Sequence, residues 1–210
     1  MAEGRDAIQV YLAAPELGEP VRVGTLYRDM KQMALPPAFE CDQAGLAANP
    51  FMLDPRLALY SGPQYPAGDT QLFGVFLDSS PDRWGRTLMN RREAMNAAQA
   101  DRPVRTLFEM DYLLGVNDVT RQGALRFKRE EGPFLDDDPL PTPSVDQLAA
   151  LEEIVLRIEQ EGVEAFPQYQ QWLGLLLAPG SSLGGARPKV NFREADGSLW
   201  IAKFPAKDDL

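Results

Sequence analysis

Residues 180–203 read GSSLGGARPKVNFREADGSLWIAK, a glycine-rich segment followed by two apolar runs around an Asp-Gly pair. The runs Val190–Arg193 and Leu199–Lys203 predict two short strands, because they contain β-branched and aromatic residues between turn signals. The intervening segment Glu194–Ser198 predicts a hairpin turn, since Asp-Gly is a favoured pair in tight β-turns. The glycine-rich segment is therefore expected to lead directly into a β-hairpin.

The second strand of this hairpin has two chemically different faces. Alternation places Trp200, Ala202 and Phe204 on one face, and Ile201 with Lys203 on the other. We expect the first face to pack on the core and Lys203 to face the glycine-rich segment.

The glycine-rich segment is a candidate phosphate-binding loop. Glycine permits positive φ and close approach of the backbone to an anion, so the N–H groups of Gly184, Gly185 and Ala186 could surround a phosphate. Neither G-x-x-x-x-G-K-[ST] nor G-x-G-x-x-G is present. The alternative is a structural turn whose glycines satisfy backbone geometry, and the pattern leaves both hypotheses open.

The amino-terminal third predicts a small β-rich subdomain that extends to about residue 70. Apolar and alternating runs predict its strands, although Pro36, Pro37, Pro50 and Pro55 indicate a loop-rich region. The predicted strands are 7–12, 21–27, 38–41 and 57–60.

Helix signals dominate the region between residues 80 and 115. Ser80 followed by Pro81 predicts a helix from Pro81 to about Ala98, and a Thr106–Glu109 capping box predicts a short helix that ends at Leu114. The arginines of the first helix favour a solvated face over a nucleic-acid surface, because no aromatic residues interleave with them. Asp111 and Asp118 could suggest a catalytic pair, but capping or turn roles are favoured.

Two further helices precede the loop. A Ser144–Gln147 capping box opens a helix with an apolar stripe that continues toward Gly162. A second helix, about residues 168–177, is apolar nearly all round and is expected to be buried. The chain then divides at the proline-rich and acidic segment 130–144 into predicted domains 1–130 and 144–210.

Composition narrows the classes of function. The net charge of −10 and the pI of about 4.6 argue against direct nucleic-acid binding, which needs clustered Lys and Arg. The absence of histidine excludes imidazole catalysis, and the single cysteine, Cys41, favours a reducing compartment.

Glu130–Glu164 carries eleven acidic residues and one basic residue, either a solvated surface or a docking site for a basic partner. With no apolar leader or membrane span in the sequence, we expect a cytoplasmic protein without membrane contact.

Several segments, in order, resemble the HipA-like serine/threonine kinases, which are toxins of type II toxin–antitoxin pairs. The similar segments are 181–189 with 199–205, 78–86, 115–118 (GVND) and 123–127 (GALRF). The resemblance covers most of the chain from about Phe73 to Leu210. It implies an α+β fold, with a β-rich amino-terminal subdomain, helices, and the start of a protein-kinase-like N-lobe that contains the Gly-rich loop and hairpin.

The resemblance also implies roles for individual residues. Gly184, Gly185 and Ala186 would contact the phosphates of ATP, Lys203 would be the ATP lysine, and the secondary ATP-binding candidates are Lys189 and Arg187. Ser182, with Ser181 as second candidate, would be the autophosphorylated loop serine that switches the kinase off. The family further implies Mg²⁺, a protein substrate, and a small helix-turn-helix antitoxin through which any DNA contact would be indirect.

In this family the catalytic aspartate and the metal-binding residues follow far downstream of the ATP lysine, whereas this sequence stops seven residues after Lys203. We therefore expect the amino-terminal half of a longer kinase, with no catalytic residue in this chain and no phosphoryl transfer by it alone. The alternative is a non-catalytic interaction module, as a split-kinase subunit or a partner that masks a kinase. A third hypothesis is another nucleotide- or sugar-phosphate-binding enzyme.

Overall fold

The computed structural model describes residues 4–48, 52–130, 132–135, 142–180 and 185–205. Their architecture is α+β with antiparallel sheets, as the sequence predicted. The strands are β1 Arg5–Leu12, β2 Val21–Asp29, β3 Ala38–Cys41, β4 Leu125–Lys128, β5 Lys189–Arg193 and β6 Leu199–Lys203. The helices are α1 Gln43–Ala48, α2 Gly74–Asp78, α3 Arg83–Gln99, α4 Glu109–Leu114, α5 Leu148–Ile158 and α6 Tyr169–Gly180.

The chain forms two compact units that interleave along the sequence. The first unit contains Met1–Ser80, Phe108–Leu114 and Gln122–Leu135. The second contains Pro81–Leu107, Gly115–Arg121 and Asp136–Leu210. The predicted domain division into residues 1–130 and 144–210 stays a prediction.

The first unit is built on a four-stranded antiparallel sheet in the order β3-β2-β1-β4. Three of its strands match predicted strands closely, and β4 continues the sheet on the far side of β1. Alternate residues of β1 point into the core, where Ile8 and Val10 are fully buried. An aromatic cluster of Phe39, Phe76 and Phe127 fills the same core, with ring centroids 5.2 and 6.3 Å apart across Phe76.

The predicted strand at residues 57–60 is wrong. Ala58 donates its N–H to Gln64 Oε1 over 2.8 Å, and Gln64 Nε2 donates to the Ala58 carbonyl over 2.9 Å. The amide side chain of Gln64 thus provides the hydrogen bonds to the Ala58 peptide groups that a neighbouring strand would provide in a sheet. This segment is a turn held by one buried glutamine.

Helix α3 begins at Arg83, two residues later than predicted, and its cap is Asp82 instead of Ser80. The Ser80 hydroxyl donates to the Phe76 carbonyl at 2.8 Å and is therefore committed to the preceding helix. Asp82 Oδ1 accepts the Arg83 N–H at 2.7 Å in the N-cap position. Both Ser and Asp are good caps, so the sequence alone does not decide between them.

Helix α4 ends at Leu114 as predicted but begins only at Glu109. Asp111 Oδ2 accepts the Phe108 N–H at 2.9 Å, so this aspartate supports the start of the helix. The predicted opening at Thr106 is therefore three residues too early, and the structural role that we favoured for Asp111 is confirmed.

The helices of the second unit follow the predicted apolar patterns. Gln147 Oε1 accepts the Ser144 N–H at 3.0 Å, which confirms the capping box. The stripe of α5 is buried at Leu151, Ile154, Val155 and Ile158. The helix ends at Ile158 instead of continuing to Gly162, which takes φ 74° and opens a short 3-10 turn.

Helix α6 packs against α3, α5 and β5 and buries Leu173, Leu176 and Leu177. It delivers the chain to the glycine-rich segment. No helix within the described part of the chain is long and apolar enough to cross a membrane.

The hairpin forms as predicted, but its two strands differ in burial. Strand β5 is buried at Lys189, Val190, Asn191 and Phe192. At the end of this strand, the Arg193 N–H donates to the Pro143 carbonyl at 2.8 Å. Strand β6 is the edge strand, exposed at Leu199, Trp200 and Ile201.

The expected packing of Trp200 on the core is therefore wrong, although Phe204 is buried as expected. Trp200 is 56% exposed, and its Nε1 donates to the Ser198 hydroxyl over 2.8 Å. The indole is thus held at the turn of its own hairpin. The side chains of the hairpin that pack on the core come mainly from β5, at Val190 and Phe192.

Candidate phosphate-binding site

Part of the predicted loop lies outside the described residues. The predicted roles of Ser181, Ser182 and Gly184 fall in segment 181–184 and stay predictions. The described part of the site comprises Gly185 and the hairpin that follows it.

The register of the hairpin sets Lys189 of β5 directly opposite Lys203 of β6. Opposite residues of an antiparallel pair share one face, so both ammonium groups project to the same side. They differ in burial, because Lys189 is 6% exposed whereas Lys203 is solvent-exposed. The site thus contains one buried and one accessible cation at the open end of the hairpin.

The charge state of Lys189 reflects this position. Burial lowers the pKa of its ammonium group, and the positive charge of Lys203 lowers the pKa further. The carboxylate of Asp82 acts in the opposite direction. An anion placed between the lysines would favour the charged form in the same way as Asp82 does.

Gly185 brings the backbone of the loop next to Lys189. Its φ of +90° belongs to a region that side chains rarely adopt, and a Cβ added there would lie 2.9 Å from Lys189 Nζ. The backbone conformation therefore favours glycine at this position, and the end of the Lys189 side chain lies close to it.

Asp82 attaches the end of the loop to helix α3. Its Oδ2 accepts the Gly185 N–H at 2.6 Å, while the Gly185 carbonyl accepts the Trp84 N–H at 3.2 Å. These bonds lower the pKa of Asp82, first through Gly185 and then through Arg83, with smaller effects from the charges of Arg86 and Lys189. The carboxylate is ionised at neutral pH and lies among groups that attract an anion.

Trp84 fixes the beginning of the hairpin. Its buried indole donates through Nε1 to the Lys189 carbonyl at 3.0 Å. On the other side, Phe204 N–H donates to the Pro188 carbonyl at 2.9 Å and continues the ladder beyond Lys203. The lysine pair therefore stands on backbone that is bonded on both sides.

The structure brings three of the predicted residues together, namely Gly185, Lys189 and Lys203. Ala186 and Arg187 lie in the exposed bend between Gly185 and β5. Sequence reasoning gave Lys203 the main role, whereas the lysine in contact range of Gly185 is Lys189.

Asp82 and Trp84 were missed as parts of this site, although both lie in segment 78–86, which was singled out for its resemblance to the kinases. The signal that could have found Asp82 is a second capping residue two positions after Ser80.

The two ammonium groups and the adjacent backbone give the described part of the site the chemistry to attract an anion. Across the described residues, no three carboxylate or cysteine side chains converge as a metal site built from protein ligands alone would require. Asp111 pairs with Arg28 in the first unit. Asp118 lies 4.0 Å from the buried Arg121 in the second. Both carboxylates lie close to arginines, and the capping or turn role favoured for Asp118 stays a prediction.

Comparisons with known proteins give no assignment. No family model, curated protein or solved structure matches the chain.

Proposed function

We propose that the chain is the amino-terminal portion of a HipA-like serine/threonine protein kinase that binds the phosphates of ATP. In this proposal the hairpin belongs to a kinase-like N-lobe, and the phosphates lie against the Gly185 backbone and the ammonium groups of Lys189 and Lys203. The observation that carries it is the lysine pair, one member buried, beside a glycine whose positive φ of 90° side chains rarely adopt.

The electrostatics support an anionic ligand. Like charges directly opposite each other in a sheet are destabilising, and burial of Lys189 adds a desolvation cost. A phosphate group between them would offset both costs through charge-assisted hydrogen bonds. Asp82 already offsets part of this cost, and a phosphate group would offset more of it, so the arrangement favours an anionic ligand.

The proposal extends to regulation and partners. Phosphorylation of Ser182 or Ser181 would add a charge of roughly −1.5 to −2 in the loop that leads to the lysines, and would compete with ATP there. The catalytic aspartate and the Mg²⁺ ligands would be supplied by polypeptide outside this chain. The partners would be a protein substrate and a helix-turn-helix antitoxin, with DNA contact only through the latter.

Calorimetric titration with Mg-ATP tests this function. We expect binding by the unmodified chain and a loss of at least about tenfold in affinity for Lys203→Ala, because one charge-assisted contact to phosphate is removed. Lys31→Ala is the matched control, since it removes an exposed lysine of the first unit. Equal affinity for Lys203→Ala and Lys31→Ala would refute the assignment of the ATP lysine.

The second candidate function is a non-catalytic interaction module. The observation in its favour is the exposed apolar row of Leu199, Trp200 and Ile201 on an edge strand, where a partner could add a strand. If Mg-ATP does not bind, this hypothesis predicts slowed amide exchange across Leu199–Lys203 when the partner is present. Unchanged exchange would count against it.

A further inference from the structure

We propose that Asp82 is an internal competitor for the candidate phosphate site, so that an incoming phosphate binds by displacing its carboxylate. This inference rests on the proposed function, because it concerns the same backbone and lysines. It names a residue that sequence reasoning did not assign to the site.

The Gly185 N–H is the donor for which the two anions compete. The proposed function assigns this donor to a phosphate, yet in the structure it is bonded to Asp82 Oδ2 at 2.6 Å. A backbone N–H makes one strong hydrogen bond at a time. Phosphate and carboxylate therefore cannot both take it, and binding of one requires release by the other.

The surroundings of Asp82 are suited to either anion. The carboxylate also accepts the Arg83 N–H at 2.7 Å, and it lies within the electrostatic influence of Arg86 and Lys189. Carboxylates and phosphates are held by the same donors, and a phosphate presents more charge and more acceptor oxygens. The exchange replaces a monoanion by a stronger anion in the same set of contacts.

Displacement breaks two hydrogen bonds of the carboxylate, those from the Gly185 N–H and from the Arg83 N–H. Asp82 is solvent-exposed, so its side chain can rotate into water without burying a charge. The Trp84 N–H bond to the Gly185 carbonyl and the Trp84 indole bond to Lys189 do not involve the carboxylate. The end of the loop thus stays attached to α3 while the Gly185 N–H is freed.

The test compares Asp82→Asn with the unmodified chain, using inorganic pyrophosphate as probe. Asparagine is an equally good helix cap, so the fold of α3 is preserved while the charge is removed. Asp101→Asn removes an exposed carboxylate just beyond the other end of α3 and is the matched control. We expect Asp82→Asn to bind pyrophosphate roughly three to ten times more tightly than the other two proteins, as removal of one competing, exposed charge allows.

NMR of the Gly185 amide locates the effect. Pyrophosphate should shift this amide in the unmodified chain and at lower concentration in Asp82→Asn, and Lys189→Ala should weaken the response in both. Equal or weaker binding by Asp82→Asn, or a Gly185 amide that does not respond, would overturn the competition. Pyrophosphate needs no nucleotide pocket, so this result is separate from the Mg-ATP titration: tight pyrophosphate binding without Mg-ATP binding would refute the proposed function alone.

Discussion

Two clusters of charged side chains, one in each unit, differ in how their positive and negative charges are matched. In the first unit Arg28 is buried and contacts two carboxylates, Asp111 at 2.7 Å and Asp6 at 3.3 Å, and Arg129 pairs with Asp6 from the surface side. In the second unit Lys189 is equally buried but stands opposite another cation, Lys203. The first cluster matches each charge with its opposite, whereas the second sets two cations opposite each other with the Asp82 carboxylate nearby.

The comparison indicates what each cluster is for. A buried charge with opposite partners is held by the fold and stabilises it once it is there, because removal of one member leaves the others unmatched. Two lysines opposite each other in a sheet repel, and burial of one adds a desolvation cost, so the pair favours an anion in addition to Asp82. The predictions below test whether charge balance separates structural clusters from the binding site.

The largest effect is expected for Arg28→Ala. The substitution leaves Asp6 and Asp111 with side chains 14% and 8% exposed beside an empty position, so the free energy of unfolding should fall by about 3 kcal/mol. Urea denaturation followed by far-UV circular dichroism measures it, since the tryptophans lie in the second unit.

Arg22→Ala is the control for this change. Arg22 is 42% exposed and lies 3.5 Å from Asp42, an arrangement that contributes less than about 1 kcal/mol. Equal losses for the two variants would contradict the idea that burial and balance distinguish the Arg28 cluster.

A smaller effect, dependent on pH, is expected for Glu93→Gln. Glu93 is 6% exposed and accepts from Arg102 at 2.6 Å and from the Arg105 N–H at 3.0 Å, interactions that lower its pKa to about 2. A carboxyl with a depressed pKa contributes stability above its unfolded value near 4.5, and that contribution is lost as the pH falls toward 2.

At pH 7 Glu93→Gln should therefore lower the free energy of unfolding by roughly 1–2 kcal/mol, a value discounted because both arginines are partly exposed. The difference from the unmodified chain should shrink between pH 4.5 and pH 2, as measured by chemical denaturation at each pH. A difference independent of pH would show that Glu93 acts through packing instead of charge. Glu93 and its two arginines lie in the second unit, as the lysine pair does. A loss of stability here would therefore show that the matching of charges decides the effect, and that the choice of unit does not.

Local signals in the sequence predicted much of the fold. The Asp-Gly turn, the Ser144 capping box and the apolar stripe of α5 depend on residues a few positions apart, and all three are confirmed. The errors depend on distant partners. Gln64 holds residues 57–60 as a turn, and the burial of β5 leaves Trp200 on an edge strand.

The candidate site shows the same division. The hairpin register already places Lys189 opposite Lys203, so their pairing follows from the sequence. The burial of Lys189 and the contact of Asp82 with Gly185 do not, because they depend on α3, which lies 103 residues earlier in the chain. A helix cap and a loop glycine become neighbours only when the second unit folds.

The smallest effect has the opposite sign and concerns Lys203→Gln. The substitution removes one of two like charges that face each other and keeps the apolar stem, so the free energy of unfolding should rise by roughly 0.3 kcal/mol. The pKa of Lys189 should rise as well, because the charge of Lys203 is one of the causes that lower it. Denaturation followed by tryptophan fluorescence measures the first change and NMR titration of the Lys189 side chain the second, with Lys31→Gln as control. A loss of stability would place Lys203 among the structural charges. A gain in stability together with weaker Mg-ATP binding would mean that the chain retains this lysine for its ligand.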